Sequence, residues 1–202
     1  MSVAFVDYGA GNLRSLRAAF ERAGAVVTVT QDRDEIRSAS LVVIPGVGAA
    51  GAAMRSLRAR ALVDPILDAA ARGACVFGVC VGMQLLFARS SEGEAETLGL
   101  LRGTVTRLEG ARRLPHMGWN DVEPVRAHAL AETLPAACYF AHSFAVQDAD
   151  PGCVVATTSV ERGSFASLVA HERVAGTQFH PERSGPAGAA LIRSMLAWSD
   201  EA

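Results

Sequence analysis

Cys80 lies between two glycines, in Gly78-Val79-Cys80-Val81-Gly82, where an apolar strand-sized run meets a helix-forming one. Ala74-Cys75-Val76-Phe77 precedes it, and the stretch from Met83 to Arg89 follows without glycine or proline. A cysteine on so sharp a strand-to-helix turn stands clear of the sheet near a helix N-terminus. Unpaired N–H groups and the helix dipole there favour thiolate over thiol. The pattern is the cysteine counterpart of the G-x-S-x-G nucleophile elbow, whose glycines relieve crowding around a strained turn. Cys80 is therefore a candidate covalent nucleophile. It needs a base, a group that orients the base, and donors for a developing oxyanion.

Thr177-Gln178-Phe179-His180-Pro181-Glu182 offers the base and its orienting acid. His180 directly follows an apolar strand, and Pro181 stops that strand from continuing. Residues i and i+2 of an extended segment point to one side, so Glu182 can hold one ring nitrogen of His180 while the other faces Cys80. Pro45-Gly46-Val47-Gly48, just past another strand, offers flexible backbone N–H groups at the matching end of a sheet. The N–H of Val81, the residue after the nucleophile, is the second donor. Among the other histidines, His128 reads as exposed, His116 sits between Pro115 and Met117, and His171 ends a strand. His142, inside a strand-like run, fits either a structural role or a place near the site.

The elements that must position these groups alternate through the first half of the chain. Val3–Asp7 reads as a strand closed by a glycine turn, and Asn12 as the cap of a helix running through Leu13, Leu16 and Phe20 to Gly24. Strands follow at Val26–Thr30 and Leu41–Ile44, with a short polar helix at Asp34–Ser38 capped by Asp32 or Asp34. A longer helix between Ala52 and Arg72 reads as two pieces, interrupted by Pro65. From Leu100 the pattern turns strand-like, at Gly103–Leu108, Ala137–Val146, Cys153–Ser159, Phe165–His171 and Val174–Phe179, before a helix at Pro186–Trp198. The fold class is therefore α/β, a mainly parallel central sheet flanked by helices with added antiparallel strands. No repeat, linker or low-complexity tract divides the chain, so residues 1–202 read as one domain.

Composition narrows the function classes. A formal charge of −2 leaves no basic excess to neutralise phosphates, which argues against a nucleic-acid binder. Nothing approaches the run of about 20 apolar residues of a membrane span, and the N-terminus has no basic segment followed by an apolar one. Cys75, Cys138 and Cys153 lie in apolar or strand-like contexts and read as core. Neither C-x-x-C nor H-E-x-x-H occurs, so no metal site and no cofactor is expected, and the cytoplasm is the expected compartment.

Taken together, Pro45-Gly46-Val47-Gly48, the stretch from Gly78 to Gln84, and Gln178-Phe179-His180-Pro181-Glu182 resemble the class I, or triad, glutamine amidotransferases. Three further segments are similar to the glutaminase subunits of imidazole glycerol phosphate synthase within that family. They are Asp7-Tyr8-Gly9-Ala10-Gly11-Asn12-Leu13, Arg113-Leu114-Pro115-His116-Met117-Gly118-Trp119-Asn120 and Tyr139-Phe140-Ala141-His142-Ser143. The resemblance spans Asp7 to Ser184. It implies that Cys80 attacks the side-chain amide of glutamine, that His180 protonates the departing ammonia and then activates water, and that Glu182 orients His180. It further implies that Gln84 and Glu92 contact the substrate and that backbone around His142, Ser143 and Phe144 completes the pocket. Gly46, Val47, Gly48 and Val81 would then line the oxyanion hole.

The same resemblance implies a heterodimer in which ammonia passes to a separate (β/α)8-barrel cyclase subunit in histidine biosynthesis. Asn12, Met117, Trp119, Asn120 and Arg183 are the expected interface residues, since Trp and Met are enriched in interface cores. Three positions depart from the family pattern: Arg183 where lysine is common, Phe144 where tyrosine is common, and Val81 where leucine is common. Two other readings fit the elbow. A glutaminase subunit of another synthase, such as anthranilate synthase, is disfavoured by the Pro115–Asn120 run. A catalytically silent cysteine-sensor module is disfavoured by retention of His180, Glu182 and the glycine loop.

Overall fold

Short runs of β-branched and apolar residues build the centre of the molecule, because a strand covered on both faces needs side chains that pack on either side. The computed structural model describes residues 2–132, 134 and 137–201. In chain order the first strands are β1 (Val3–Val6), β2 (Val27–Thr30), β3 (Leu41–Ile44) and β4 (Cys75–Val79). The short β5 (Arg89–Ser90), β6 (Ala95–Glu96) and β7 (Thr104–Arg107) follow, then β8 (His116–Asp121) and β9 (Glu123–Pro124). The last are β10 (Ala137–His142), β11 (Phe144–Val146), β12 (Val154–Val160), β13 (Gly163–His171) and β14 (Val174–Thr177). The helices are α1 (Leu13–Arg22), α2 (Arg33–Ser38), α3 (Ala50–Ala59), α4 (Val63–Ala71), α5 (Val81–Leu86) and α6 (Gly185–Glu201), with a 3-10 turn at Pro181–Arg183.

Eight strands form one sheet in the order β2-β1-β3-β4-β14-β13-β12-β9. β2, β1, β3, β4 and β14 are parallel, while β13, β12 and β9 are added antiparallel. Every residue of β1, β3 and β4 is buried, as their unbroken apolar sequences require. Phe20 of α1 stacks edge-on against Phe5 of β1 at 5.1 Å between centroids, tying helix to sheet. Phe140, Phe165 and Phe179 form a second aromatic cluster under the antiparallel half, with centroids 5.6 and 5.7 Å apart. Two smaller sheets, β10-β8 and β11-β7-β5-β6, rise beside the main one.

Several expected boundaries move, each for a local reason. The long helix does break in two, but at Ala61, whose φ of 53° is left-handed, and Pro65 lies within the first turn of α4. Proline is tolerated there because its missing N–H has no helical partner to lose. Asn12 precedes α1 with φ 71° and makes no side-chain cap, whereas Asp32 does cap α2, accepting from Asp34 N and Glu35 N. The helix after the elbow starts two residues earlier than expected, at Val81, and stops at Leu86; Arg89 instead begins β5. The run from Ala137 to Val146 is two strands in different sheets, separated at Ser143. β14 stops at Thr177, so Gln178 and Phe179 lie on the bend that carries the chain to His180. His128 is half-buried, its ring 5.8 Å from that of Trp198 and its Nδ1 accepting from Leu130 N.

Candidate active site

Cys80 sits at the C-terminal end of β4 with φ 54° and ψ −111°, a strained backbone that a residue with a Cβ rarely adopts. Three glycines let the chain fold so tightly. A Cβ on Gly82 would lie 1.8 Å from the Ile44 carbonyl oxygen, and one on Gly78 would lie 2.4 Å from that of Gly82. A Cβ on Gly46 would fall 2.2 Å from the Gly82 nitrogen. Elbow, β3 exit and glycine loop are thus in backbone contact. Buried Tyr8 pins the loop from below, its hydroxyl donating to the Pro45 carbonyl at 2.5 Å. Burial, with the Cys80 charge nearby, pushes the Tyr8 phenol well above its usual range, so it stays protonated as that donor.

The candidate base arrives from the neighbouring strand. β4 and β14 pair in parallel with Val79 opposite Thr177, and the Cys80 N–H donates to the Thr177 carbonyl at 2.7 Å. The chain leaving β14 therefore emerges level with the elbow. His180 Nδ1 then meets Glu182 Oε1 at 2.9 Å, and Asn12 Nδ2 donates to the same oxygen. The expectation of an extended His-Pro-Glu segment is corrected here: Pro181 opens a 3-10 turn, and that turn brings the carboxylate back to the ring. Burial alone would lower the His180 pKa. Hydrogen bonds to Cys80 and Glu182, with the charges of both, outweigh it and raise the imidazole to about 10. The arrangement favours an imidazolium between a carboxylate and the cysteine sulfur.

Cys80 and His180 line a cavity of about 440 Å³, together with Asn12, Ser15, Val47, Gly48, Val81, Gln84, Glu92, Ala141, His142, Ser143, Phe144 and Arg183. Gly46 and Glu182 lie behind its wall rather than on it. Gln84 Nε2 donates to the Phe144 carbonyl at 2.8 Å and to Gln178 Oε1 at 3.1 Å. Its Oε1 is buried with no protein partner among the described residues. Glu92 Oε2 accepts from Ala50 N at the start of α3, which fixes the carboxylate at the cavity edge. Val81 is the first residue of α5, so its N–H has no helical acceptor and is available beside the sulfur. Among the described residues no three His, Cys, Asp or Glu side chains converge as a metal site would need.

His142 borders the cavity without offering it a ring nitrogen. Its Nδ1 faces the Phe144 carbonyl at 2.9 Å, which must accept, so Nδ1 carries the proton. Its Nε2 then accepts from His116 Nδ1 at 3.1 Å, and His116 Nε2 accepts from Asn120 Nδ2 at 3.1 Å. Burial, with the repulsion that His142 and His116 would feel if both were protonated, lowers the His142 pKa to about 3, and burial lowers that of His116. Both rings stay neutral, as the chain of bonds requires.

A pH dependence of stability follows. His142 binds a proton at about 6.5 when unfolded and at about 3 when folded, so the unfolded state holds more protons between those values. Its contribution is complete above 6.5 and is lost as pH falls towards 3. At about pH 4.5, two units below the unfolded value, the expected loss is on the order of 3 kcal/mol. Urea unfolding at neutral pH and at about pH 4.5 reads it, and His142→Gln is expected to remove most of the difference. Equal acid losses in both proteins would contradict the assignment.

The expected interface residues divide. β8 alternates, so Met117 and Trp119 face out, at 63% and 60% exposure. Trp119 packs edge-on to Tyr139 at 6.3 Å, and the Arg183 guanidinium lies 4.7 Å over that same ring at the cavity rim. Asn120 turns inward, donating to His116 and the Ser159 carbonyl, and Asn12 is engaged with Glu182. Sequence reasoning missed three contributors. Tyr8 was visible only as part of a glycine-turn motif, and His116 only as a member of the Pro115–Asn120 run. Gln178, next to Phe179 and His180, carried no signal beyond its place in that motif.

The glutamine amidotransferase class-I family matches residues 4–197. The imidazole glycerol phosphate synthase subunit HisH of Idiomarina loihiensis is 43% identical over 197 residues, covering 97% of each chain. The subunit of the same name from Mycolicibacterium paratuberculosis is 46% identical over 201 residues, covering 96% of this chain and 97% of the other. Among solved structures, a glutamine amidotransferase superposes with TM-score 0.78 at 20% identity, covering 98% of both chains. PurLQS from Thermotoga maritima superposes with TM-score 0.71 at 22% identity, again covering 98% of both chains. These two structural likenesses establish the fold. The family match and the near-full-length relatives go further: this chain belongs to the class-I glutamine amidotransferases, among the imidazole glycerol phosphate synthase subunits HisH.

Proposed function

We propose that the chain, working as one domain, hydrolyses glutamine to glutamate and ammonia as one subunit of an imidazole glycerol phosphate synthase. The observation that carries this reading is the convergence of Cys80, His180 and Glu182 at one end of two adjacent parallel strands, on a cavity edged by Gln84 and Glu92. The Cys80 thiolate attacks the amide carbon of the glutamine side chain. The resulting oxyanion lies against the Val81 N–H and the backbone of Gly46 to Gly48. His180, as imidazolium, protonates the amide nitrogen, the C–N bond breaks, and ammonia leaves a γ-glutamyl thioester. Neutral His180 then takes a proton from water, whose oxygen attacks the thioester carbon. The C–S bond breaks, glutamate leaves, and thiolate and imidazolium are restored. Glu182, held by Asn12, keeps the ring oriented throughout.

The free Gln84 Oε1 is placed to accept from the substrate, and Glu92 to receive its ammonium group. Backbone at Ser143 and Phe144 completes the pocket. Ammonia passes to a (β/α)8-barrel cyclase chain that docks over Met117, Trp119 and Arg183, with Asn12 near the rim and Asn120 supporting β8 from within. An exposed Met–Trp pair beside the cavity is the composition of an interface core. Four cysteines, all buried and free, fit a reducing compartment such as the cytoplasm. Among the described residues no helix is long and apolar enough to cross a membrane.

The test is glutaminase turnover of the chain alone and in complex with the cyclase chain and its nucleotide ligand. We expect weak hydrolysis alone and a rise of at least ten-fold in the complex, because the glycine loop needs the partner to aim its donor. Equal rates would rule out partner control, and no hydrolysis under any condition would rule out the activity.

A further inference from the structure

Among the described residues, a side chain outside the Cys80, His180 and Glu182 set also reaches the reacting sulfur. Gln178 is completely buried, and its Nε2 lies 3.8 Å from Cys80 Sγ, within N–H···S reach. The direction of its amide is dictated by its neighbours. Gln84 Nε2 faces two oxygens, those of Phe144 and Gln178, so it must be the amine end of Gln84. Gln178 therefore presents its oxygen to Gln84, and its remaining amide end, the NH2, points at the sulfur. A flipped Gln178 would set an NH2 against an NH2 and an oxygen against the sulfur. Phe144 O is also held by His142 Nδ1, so the acceptor that fixes Gln84 is itself fixed.

We propose that Gln178 is a dedicated hydrogen-bond donor to the Cys80 thiolate, locked in that role by Gln84. The proposal rests on Cys80 being the nucleophile. Among the described residues two uncharged groups within hydrogen-bond reach of the sulfur have opposite character: the Ala141 carbonyl at 4.0 Å, which can only accept and so favours the thiol, and Gln178 Nε2, which can only donate and so favours the thiolate. The other groups facing the sulfur are His180, Tyr8 and, around the same cavity, Glu92, His142 and Arg183. Gln178 is not among the residues that line the cavity, so its donor does not compete with substrate for the sulfur. The donor consequently acts whether or not substrate is bound. In the catalytic cycle it helps Cys80 leave as thiolate when the thioester C–S bond breaks.

The experiment is the pH dependence of alkylation of the full chain by iodoacetamide, read at the Cys80 peptide by mass spectrometry, with Cys80→Ala as the blank. Gln178→Met keeps the shape and removes the donor; its midpoint is expected to rise by about one pH unit, a ten-fold loss of thiolate at a pH below both midpoints. Gln178→Glu replaces the donor by an acceptor and should raise it further. Gln84→Met releases the lock and should give a smaller rise in the same direction. Glutamine hydrolysis by Gln178→Met, in the complex, should fall in kcat with KM little changed.

Unchanged midpoints in both Gln178 variants would overturn the proposal. So would equal rises in both accompanied by a lower Tm, because that is the signature of a displaced His180. If Gln178→Met does not fold, Gln178→Glu and Gln84→Met decide by the same criterion. Because alkylation reports the sulfur directly, its outcome is separate from the nucleophile reading, which fails only if Cys80→Ala still hydrolyses glutamine.

Discussion

Replacing Cys80 with alanine is expected to abolish glutamine hydrolysis, by a factor of about 10⁴ or more, while synthesis from added ammonia by the assembled complex persists. The size follows from what the substitution removes. Without Sγ no thioester forms, and the rate falls to what the oxyanion donors and binding can sustain with water alone. The loss is catalytic rather than structural. Among the described residues the polar partners of the sulfur are His180, Gln178 at 3.8 Å and the Ala141 carbonyl at 4.0 Å, and the latter two are long, weak sulfur contacts. Alanine also leaves φ 54° no more strained than cysteine does. Two assays on one preparation decide the matter, one fed glutamine and one fed an ammonium salt. Retained glutaminase activity would refute Cys80 as nucleophile. Loss of ammonia-dependent synthesis would refute the separation of ammonia release from its use.

The second large effect is structural. Gly82→Ala should cost about 3 kcal/mol or more and lower Tm by roughly 10 °C, or prevent folding altogether. The added Cβ would sit 1.8 Å from the Ile44 carbonyl oxygen, an atom of the central strand β3 that has no side-chain freedom to move aside. Relief requires the elbow and β3 to separate, which also moves the Gly46 loop that packs on the Gly82 nitrogen. Gly48→Ala is the contrast. Nothing lies within 4 Å of its Cβ, and only φ 90° opposes it. It should cost about 1 kcal/mol in stability and show itself mainly in turnover. Thermal unfolding of the two variants separates the cases, and an unaltered Tm for Gly82→Ala would mean that elbow and loop are not in rigid contact.

The candidate site was legible to the extent that its chemistry is local. A cysteine on a strained turn needs small neighbours, and Gly78 and Gly82 declare that need within five residues. The His-Pro-Glu order placed a carboxylate two residues from the imidazole, and the pairing at 2.9 Å is real although a 3-10 turn makes it. Expectations faltered where a local pattern had two tertiary outcomes. The run from Ala137 to Val146 reads as one strand because every residue suits one, yet its two ends find partners in β8 and β7. Pro65 reads as a helix breaker because sequence alone does not say that the break already lies upstream at Ala61.

Neighbours along the chain were enough to single out Cys80, His180 and Glu182 as candidate nucleophile, base and orienting acid, and to reveal the alternation of strands and helices. Closure of the fold set β14 beside β4 in the register that places Val79 against Thr177, and so brings His180 level with Cys80. It alone decided that Asn120, on the strand that presents Trp119, turns inward to hold His116, and that Gln84 and Gln178 orient one another beside the sulfur. Hydrogen bonds of this kind join residues far apart in the chain, and their direction depends on what each partner's other end already holds. That information exists only once the chain has closed.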